Sequence, residues 1–483
     1  MEHAVIAAEQ RRAHRRFLVL AGLVIFYAFC LRAVYVEMAQ VAFPIRGDVN
    51  QYVLYAWNLA HHGTFSTALP QAAVAKPDSY RGPGYPLMLA ATMLAAGHSD
   101  LPLRPGPQGT TALGYESDTW MRLALALQVL LGTATVGFSI AVARFWQSHN
   151  WALATGIVVS GWPHLVTFCG VLLSETLFAF LLLFSVWASC RLQTRGAKRA
   201  MAGAGFAWGA TYLVNPVVAL FPPVAAIVLA CRFGSRKALV FLACFAVLPV
   251  AWGLRNAAYS PDAGALRRMQ ENFVQGSWPA YHFAYNNRRE YAGAREVLDD
   301  IDAETTLLEH DPGKGISTIL DRMAREPGTY LRWYLVDKPF LLWDWILRIG
   351  WADIYFLPTQ HSPFARIPIM TAMKSAYERV NPFVCGLAAL AVLGILVETV
   401  RRRRRVALAP LVLCLLVVYL TAVHDVLQAE PRYSVPYRPE EVLLAIAALS
   451  CLYDWMAARM RQARGTDMPA VVDSPKMPRF APV

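Results

Sequence analysis

The chain has 483 residues, of which 56% are apolar and 16% are charged, and it carries a formal net charge of +12. Soluble chains carry nearer a quarter charged residues, so this composition excludes an ordinary soluble enzyme. Apolar runs of about twenty residues recur, long enough to cross a hydrocarbon core of about 30 Å. An open sheet is excluded because its edges would stay unsatisfied in lipid. The sequence therefore predicts an all-α polytopic membrane protein.

Ten apolar segments are predicted to cross the membrane. In chain order they are 17–38, 120–143, 150–170, 173–191, 198–215, 217–231, 237–254, 380–399, 406–424 and 439–457. The first has no small-residue cleavage site and is interpreted as a retained anchor. Asn215-Pro216 interrupts the pair 198–215 and 217–231. A break at membrane depth is typical of a segment that lines a cavity.

The basic residues cluster at the ends of these apolar segments. The clusters lie at 11–16, 191–199, 232–237 and 401–405. Ten crossings place all four clusters on the cytoplasmic side, which is the positive-inside pattern. The net charge therefore indicates topology and contact with anionic membrane lipids, and no nucleic-acid partner is expected.

This topology divides the chain into four parts. Residues 1–254 form an N-terminal transmembrane module that includes a first outer loop, 43–119. An outer (periplasmic) and interfacial segment follows at 255–379, then C-terminal transmembrane helices at 380–460. The cytoplasmic tail, 461–483, is expected to be disordered. Within the outer segment, the Trp-rich run 333–351 is typical of an interfacial belt, with sugar stacking as the alternative.

A lone carboxylate, Asp48, stands in "RGDVNQYVLYAW" just beyond the first apolar segment. A charge at that depth is costly unless it has a partner or a function. Arg46 offers a simple ion pair, so both explanations stay open at this point. Tyr52 and Tyr55 follow at helical spacing and are predicted to pack or to anchor the interface.

Seven stretches, by their order and their placement relative to the helices, resemble one enzyme superfamily. They are "GDVNQYVLYAWNLAHHGTFS", "SYRGPGYPLMLA", "WMRLALALQVLLG", "VLLSETLFAFLLL", "LVNPVVALFPP", "AWGLRNAAYSP" and "EPRYSVPYRP". The chain resembles the bacterial GT-C glycosyltransferases of the protein-mannosyltransferase and aminoarabinose-transferase superfamily over most of residues 17–460. The long segment 262–378 matches loosely.

The resemblance implies a GT-C-like fold of roughly ten membrane helices, with interfacial helices in the first outer loop. It also implies transfer of a sugar from a polyprenyl-phosphate donor to an envelope lipid, glycan or protein outside the bacterial inner membrane. Asp48 matches the family's acidic residue of the first outer loop, and Glu175 in "SET" is the nearest match for one from the second. Both are catalytic candidates. The family's acidic doublet is absent from these loops, so no cofactor is certain and a divalent metal stays open.

The residue types fit this chemistry by themselves. An ionised carboxylate within hydrogen-bond reach of an acceptor hydroxyl can serve as general base, and it also stabilises a developing sugar cation. A lipid phosphate needs its charge balanced by a metal or an arginine fork. The substrate-binding candidates are Arg81, Tyr85, Arg255, Arg432, Tyr433 and His164.

Several candidates have a structural explanation as well. The "YRGPGYP" turn around Arg81 and Tyr85 could have the purely structural role of starting an amphipathic helix at 87–97. Arg255 could contact headgroups, and Arg432 could pair with Glu430. His164 could be a satisfied interfacial histidine.

Two other classes of function stay open. A transporter or flippase of a lipid-linked substrate would need charges buried within helices and inverted repeats, whereas Glu175 and the arginines lie near helix ends. A non-enzymatic membrane scaffold explains the helices but not the outer turns that carry arginine. Convergence of Asp48, Glu175 and Arg432 on one cavity would favour the enzyme.

Overall fold

The computed structural model describes residues 2–97, 103–105, 111–113, 119–194, 196–260, 264–351, 353–402 and 406–463. Helices dominate these residues, as predicted. The strands among them form two short antiparallel ribbons, β1 with β4 and β2 with β3. Their bounds are β1 Gln40–Val41, β2 Leu103–Pro105, β3 Thr111–Leu113 and β4 Thr359–Gln360.

The helices of the N-terminal module alternate between long apolar helices and short helices of the first outer loop. They are α1 Glu2–Met38, α2 Asp48–His62, α3 Gly84–Ala95, α4 Thr119–Ala143, α5 His149–Gly161, α6 Pro163–Thr167, α7 Glu175–Cys190, α8 Lys198–Val214, α9 Phe221–Phe233 and α10 Ser235–Tyr259. The first, fourth, fifth and seventh helices pack on one another and form much of the core.

The remaining helices belong to the outer segment and to the C-terminal bundle. They are α11 Gly264–Gly276, α12 Tyr281–Asn287, α13 Ala292–His310, α14 Pro312–Arg325, α15 Pro327–Arg332, α16 Lys338–Leu342, α17 Pro363–Arg366, α18 Pro368–Arg402, α19 Leu408–Val426, α20 Pro431–Ser434 and α21 Arg438–Ala463. A π-helical turn, Trp333–Asp337, joins α15 to α16. Most of the predicted tail lies outside the described residues.

Within the described ranges, eight helices are long and apolar enough to cross a membrane. They are Glu9–Met38, Thr119–Ala143, Glu175–Gln193, Pro216–Phe233, Ser235–Tyr259, Pro368–Arg401, Leu408–Val426 and Pro431–Gln462. The predicted segment 150–170 is a helix pair bent by 59°, because Pro163 follows an extended Trp162 and starts a new helix. The segment 198–215 is a helix of 17 residues, at the short end of the range for a span. The protein is a multi-pass membrane protein, as its composition predicts.

The predicted break after residue 215 is present. Helix α8 ends at Val214, a 3₁₀ turn covers Pro216–Val218, and α9 begins at Phe221. The Asn215 carboxamide oxygen accepts a hydrogen bond of 3.1 Å from the Val217 backbone N–H. This bond stabilises the turn at the point where Pro216 cannot continue the helix. Val214 and Asn215 also line a cavity, as the break predicts.

The first outer loop packs through the two predicted tyrosines. Helix α2 begins at Asp48, directly after Gly47, whose φ of 55° is left-handed. The ring of Tyr52 meets that of Tyr85 edge-on at 5.1 Å, and Tyr55 stacks on Phe65 at 4.0 Å. Both tyrosines are buried, so they pack in the core rather than anchor the interface.

Helix α3 begins at Gly84, three residues before the predicted start at 87. The glycines before it serve close packing against the end of α8. A Cβ at Gly82 would lie 2.6 Å from the Leu213 carbonyl oxygen, and one at Gly84 would lie 2.5 Å from Val214 Cγ2. The "YRGPGYP" stretch is therefore a docking surface between the first outer loop and the break after α8.

The outer segment has a small core of its own, formed by Val274, Tyr281, Ile301, Leu308 and Ile319. In its Trp-rich run, three of the four tryptophan side chains pack against the protein. The indole N–H groups of Trp333, Trp343 and Trp345 bond to the Gly276 carbonyl, Thr421 Oγ1 and Asp353 Oδ1 respectively. Trp351 alone among the four is mostly exposed, so the run is largely a packing element.

Candidate active site

Four charged side chains form a row of alternating sign. Arg81 Nη2 lies 2.6 Å from Asp48 Oδ1, and Arg432 Nη1 lies 2.9 Å from Asp48 Oδ2. Arg432 Nε in turn lies 2.5 Å from Glu175 Oε1. Four of the predicted residues, Asp48, Glu175, Arg81 and Arg432, thus meet at one place. Among the described residues, Asp48 pairs with Arg81 and Arg432 and not with Arg46, the alternative partner.

Three of these side chains lie at the start of a helix, and the fourth lies in a loop. Asp48 and Glu175 are the first residues of α2 and α7, where a helix favours negative charge. Arg432 lies in the short helix α20, and Arg81 lies in the loop before α3. Four segments that are distant in sequence therefore supply one charge each.

The row is largely shielded from solvent. The side chains of Arg81, Glu175 and Arg432 are 6%, 8% and 10% exposed, and that of Asp48 is 32% exposed. Burial alone would raise the pKa of Asp48, but the charges of Arg81 and Arg432 outweigh it and hold that pKa well below its usual value. Burial would lower the pKa of Arg81, and Asp48 reverses this effect. Asp48 is therefore ionised over a wide pH range.

The row retains unused hydrogen-bonding capacity. Among the described residues, Arg432 bonds through Nε and Nη1 only, and Arg81 bonds through Nε to Gln51 and through Nη2 to Asp48. Glu175 Oε2 is buried and has no hydrogen-bond partner in the described ranges. One N–H-bearing nitrogen of each arginine and one carboxylate oxygen are thus available to a ligand.

A cavity lies beside the row, between the first outer loop, the break after α8, the outer segment and the last helices. It is lined by Tyr52, Ser174, Glu175, Phe178, Val214, Asn215, Arg268, Arg432, Tyr433, Pro436 and Tyr437. The predicted residue Tyr433 faces this cavity, and its hydroxyl donates to Gln428 Oε1 at 3.0 Å. The lining combines two arginines and a carboxylate with aromatic rings.

Arg268, in α11, was not predicted. Helix α11 docks on the first outer loop, because the Tyr80 hydroxyl donates to Glu271 Oε2 at 2.5 Å and a Cβ at Gly264 would lie 2.9 Å from Tyr80 N. The Arg268 guanidinium lies 5.9 Å from the centroid of the Tyr80 ring. In the described part of the chain it makes no hydrogen bond. Its local sequence does not distinguish it from the other basic residues of the segment 255–379, such as its neighbour Arg267.

Arg255 contacts the first outer loop instead of the cavity. Its Nη1 donates to the Asp78 carbonyl at 2.7 Å, and its Nη2 donates to the Phe65 carbonyl at 3.3 Å. The guanidinium also lies 4.9 Å from the Trp252 ring. These contacts brace the loop that carries Arg81.

Tyr85 and His164 are buried behind the cavity. The Tyr85 hydroxyl donates to Gln128 Oε1 at 2.8 Å, and Gln128 Nε2 in turn reaches the Cys169 and Val171 carbonyls. His164 Nε2 lies 2.9 Å from the Trp345 carbonyl oxygen. The structure does not bring these two predicted residues to the cavity wall.

Glu430 bonds to backbone groups rather than to the guanidinium of Arg432. Its Oε1 accepts from the N–H groups of Arg348 (2.7 Å) and Ile349 (2.8 Å), and its Oε2 accepts from Arg432 N–H at 2.5 Å. Burial raises the pKa of Glu430, and these three bonds oppose the rise. The Arg432 guanidinium lies instead over the Phe356 ring, 4.0 Å from its centroid.

The residues present do not fit a divalent metal. Such a cation needs several oxygen ligands that face one point, whereas the Arg432 guanidinium occupies the space between Asp48 and Glu175. Among the residues that the structure describes, no group of three or more His, Cys, Asp or Glu side chains could hold a metal ion.

Neither a protein-family model nor a curated protein matches the sequence. Among solved structures, the chain is similar to the oligosaccharyltransferase AglB from Archaeoglobus fulgidus in complex with an inhibitory peptide and a dolichol-phosphate. The identity is 11% and the TM-score 0.48, over 95% of this chain and 52% of that chain.

It is also similar to ArnT from Cupriavidus metallidurans bound to undecaprenyl phosphate, at 15% identity and a TM-score of 0.45. This match covers 96% of this chain and 66% of that chain. The chain therefore spans about half the length of the AglB chain and about two thirds of ArnT.

Proposed function

We propose that this protein is a membrane glycosyltransferase that moves a sugar from a polyprenyl-phosphate donor to an envelope acceptor. The observation that carries the proposal is the row Glu175–Arg432–Asp48–Arg81 beside a cavity that also receives Arg268. In this row, carboxylates that could accept the proton of the acceptor hydroxyl lie next to guanidinium groups that could bind a phosphate. The stretches that resemble GT-C transferases include all four residues of the row.

The charges of the site suit a donor with one phosphate. Three arginines (Arg81, Arg268 and Arg432) and two carboxylates (Asp48 and Glu175) leave a net charge of +1 by count. A sugar phosphodiester carries a single negative charge and neutralises this excess. A diphosphate donor would leave the site negative. Guanidinium groups suit the role because two N–H bonds can grip two phosphate oxygens at once.

In the proposed step, the acceptor hydroxyl oxygen attacks the anomeric carbon of the sugar. The bond between that carbon and the phosphate oxygen breaks, and its electron pair leaves with the polyprenyl phosphate. The acceptor proton passes to a carboxylate, either Asp48 or Glu175, whose Oε2 has no partner among the residues that the structure describes. Arg432 and Arg81 stabilise the second negative charge that develops on the leaving phosphate.

Donor binding would also activate Asp48. While both arginines hold its oxygens, its pKa is well below the usual value, and a carboxylate of low pKa is a weak base. A donor phosphate competes for the same guanidinium groups and weakens their hold on Asp48. The base then gains strength only when a donor is present.

The topology would place this site at the outer face of the bacterial inner membrane. In this arrangement residues 1–254 carry the first outer loop with Asp48 and Arg81, and residues 255–379 supply Arg268 and cover the cavity. Residues 380–460 supply Arg432. The outer segment matches the family loosely, which suits a part that selects the acceptor.

The convergence of Asp48, Glu175 and Arg432 favours an enzyme over a scaffold. A scaffold would leave these charges dispersed among headgroups, where surface ion pairs contribute little. A transporter of lipid-linked substrates would need such charges along a path through the membrane. Here they lie at the first or second residues of helices and form one row with one another.

Mass spectrometry of the cell envelope tests the proposal. Lipids, glycans and proteins are compared between a deletion strain and the same strain carrying either wild-type protein or Asp48→Asn. A sugar that is missing in the deletion strain should return with the wild type and stay missing with Asp48→Asn. Identical envelopes in all three strains would refute the glycosyltransferase.

A further inference from the structure

Glu430 is a buried carboxylate that forms no ion pair within the described part of the chain. Glu430 is 1% exposed, yet the two arginines whose backbone it contacts direct their guanidinium groups to other carboxylates. Arg432 bonds to Asp48 and Glu175, and Arg348 Nη2 lies 2.5 Å from Asp344 Oδ2. Three backbone N–H groups take the place of a cation. Burial of a carboxylate costs free energy unless hydrogen bonds compensate for the lost water.

These bonds join two segments. One oxygen accepts from Arg348 and Ile349 N–H, in the loop that follows α16, and the other accepts from Arg432 N–H in α20. We call residues 344–351 and 353–357 the Arg348 loop. Glu430 thus ties this loop of the outer segment to the turn that carries Arg432.

The Arg348 loop is folded upon itself, and backbone hydrogen bonds join its two halves. Leu347 N donates to the Asp353 carbonyl at 3.1 Å, and Trp351 N donates to the Phe356 carbonyl at 3.2 Å. Gly350 has a φ of 143°, and a Cβ there would lie 3.0 Å from the Phe356 oxygen. The end of the loop presents the Phe356 ring to the Arg432 guanidinium.

We propose that Glu430 is a positioning residue that fixes Arg432 against Asp48 and Glu175 by clamping it to the Arg348 loop. The inference rests on the proposed function, in which Arg432 binds the donor phosphate. Glu430 holds the backbone of Arg432, and Phe356 supports its guanidinium from the same loop. The outer segment therefore helps to shape the donor site as well as covering it.

Two substitutions of Glu430 test separately its hydrogen bonds to the Arg348 loop and its hydrogen bond to Arg432 N–H. Glu430→Asp is shorter by one methylene, so it can still accept from Arg432 N–H but no longer reaches Arg348 and Ile349. In Glu430→Gln, the remaining oxygen can still accept from the Arg348 loop, but the amide NH₂ faces Arg432 N–H and cannot accept a hydrogen bond from it. Each should weaken donor binding by roughly tenfold, the scale of one lost hydrogen bond to a charged group.

The experiment measures binding of undecaprenyl phosphate to the full chain in nanodiscs, together with its melting temperature. The variants are Glu430→Asp, Glu430→Gln, Arg432→Ala and the double variant Glu430→Gln/Arg432→Ala. If Glu430 acts through Arg432, its substitution should change nothing further once Arg432 is alanine. Glu304→Gln is the matched control, because Glu304 accepts from Arg322 and Trp278 within the outer segment. It should lower the melting temperature and leave affinity unchanged.

Wild-type affinity in both Glu430 variants, with the stability loss of the control, would overturn the positioning role and leave Arg432 in the donor site. Wild-type affinity in Arg432→Ala would overturn the donor site and the clamp with it. If neither Glu430 variant folds, Phe356→Leu tests whether the Arg348 loop positions Arg432. It should weaken binding several-fold, and unchanged affinity there would overturn the role of the loop.

Discussion

Arg432 Nη1 lies 2.9 Å from Asp48 Oδ2, although 384 positions separate the two residues along the chain. The contact joins the first outer loop to the turn before the last membrane helix. Glu175, on the other side of the same guanidinium, brings in α7 from the middle of the chain. The site therefore exists only once the N-terminal module and the C-terminal helices have packed together.

Replacement of Arg432 should weaken donor binding. Arg432→Lys keeps the charge but cannot bridge Asp48 and Glu175 while also reaching a phosphate, because an ammonium is a point charge. Arg432→Ala removes the cation as well. We expect a loss of roughly tenfold or more for lysine and a larger one for alanine, since a hydrogen bond to a charged group is worth about 1.5–3 kcal/mol.

Binding of undecaprenyl phosphate to protein in nanodiscs measures this effect. Arg332→Ala is the control, because this exposed arginine pairs only with Asp337 in the described structure. Equal affinity in the wild type, both Arg432 variants and the control would exclude Arg432 from the donor site.

Asp48→Asn should abolish transfer and retain donor binding. The substitution keeps the size of the side chain but removes the base and the negative charge, and a general base typically contributes about 10²–10⁴-fold. Transfer is measured in membranes that contain equal amounts of protein. Activity within a few-fold of the wild type would show that Asp48 has only a structural role, and a collapse in folded yield would show that its ion pairs chiefly stabilise the fold.

The sequence predicted the helical framework well because hydrophobic length is a direct physical signal. The break at Asn215-Pro216 was also predictable, since proline cannot continue a helix. The bend at Trp162-Pro163 has the same cause and was missed, because the apolar run continues through it. The hydrophobic pattern of the sequence does not reveal such a bend.

The members of the site were easier to predict than their partners. Asp48, Glu175, Arg81 and Arg432 each stood out as charges beside apolar segments, but nothing local to Asp48 indicates that its partners lie 33 and 384 positions away. The nearby Arg46 was the natural guess and is not the partner. Glycine packing was equally hidden, because Gly82 and Gly84 resemble a turn until α8 is placed against them.

The pH dependence of transfer should differ between the free enzyme and the donor complex. In the free enzyme, Arg81 and Arg432 hold the pKa of Asp48 well below its usual value, so the base stays ionised to low pH. A bound phosphate shares these arginines, and the pKa of Asp48 should then rise toward its usual value. The acid limb of kcat should therefore lie at higher pH than that of kcat/KM, which reports the free enzyme.

Full pH profiles of both parameters check this expectation. Arg81→Gln removes one of the two cations and should move the acid limb of kcat/KM upward, toward that of kcat. Superimposable limbs in the wild type would contradict the competition between phosphate and carboxylate.

Gly84→Ala should destabilise the protein. The new Cβ would lie 2.5 Å from Val214 Cγ2 and 2.9 Å from Val214 N, and overpacking of this kind costs about 1–3 kcal/mol. Gly203→Ala, in α8, is the control because nothing lies within 4 Å of its Cβ. Thermal unfolding in the same detergent compares the two. A melting temperature of Gly84→Ala equal to that of the wild type would contradict the close contact between α3 and α8.

The orientation of the protein gives the last prediction. The basic clusters predict that 191–199 and 401–405 face the cytoplasm, whereas α13 and the rest of the outer segment face outward. Single cysteines at Lys198 and Arg289, in a background without the eight native cysteines, should respond differently to an impermeant thiol reagent in intact cells. Arg289→Cys should react at once, and Lys198→Cys only after the membrane is opened. Reaction of Lys198→Cys in intact cells would reverse the topology, and the site would then face the cytoplasm, where an envelope acceptor could not reach Asp48.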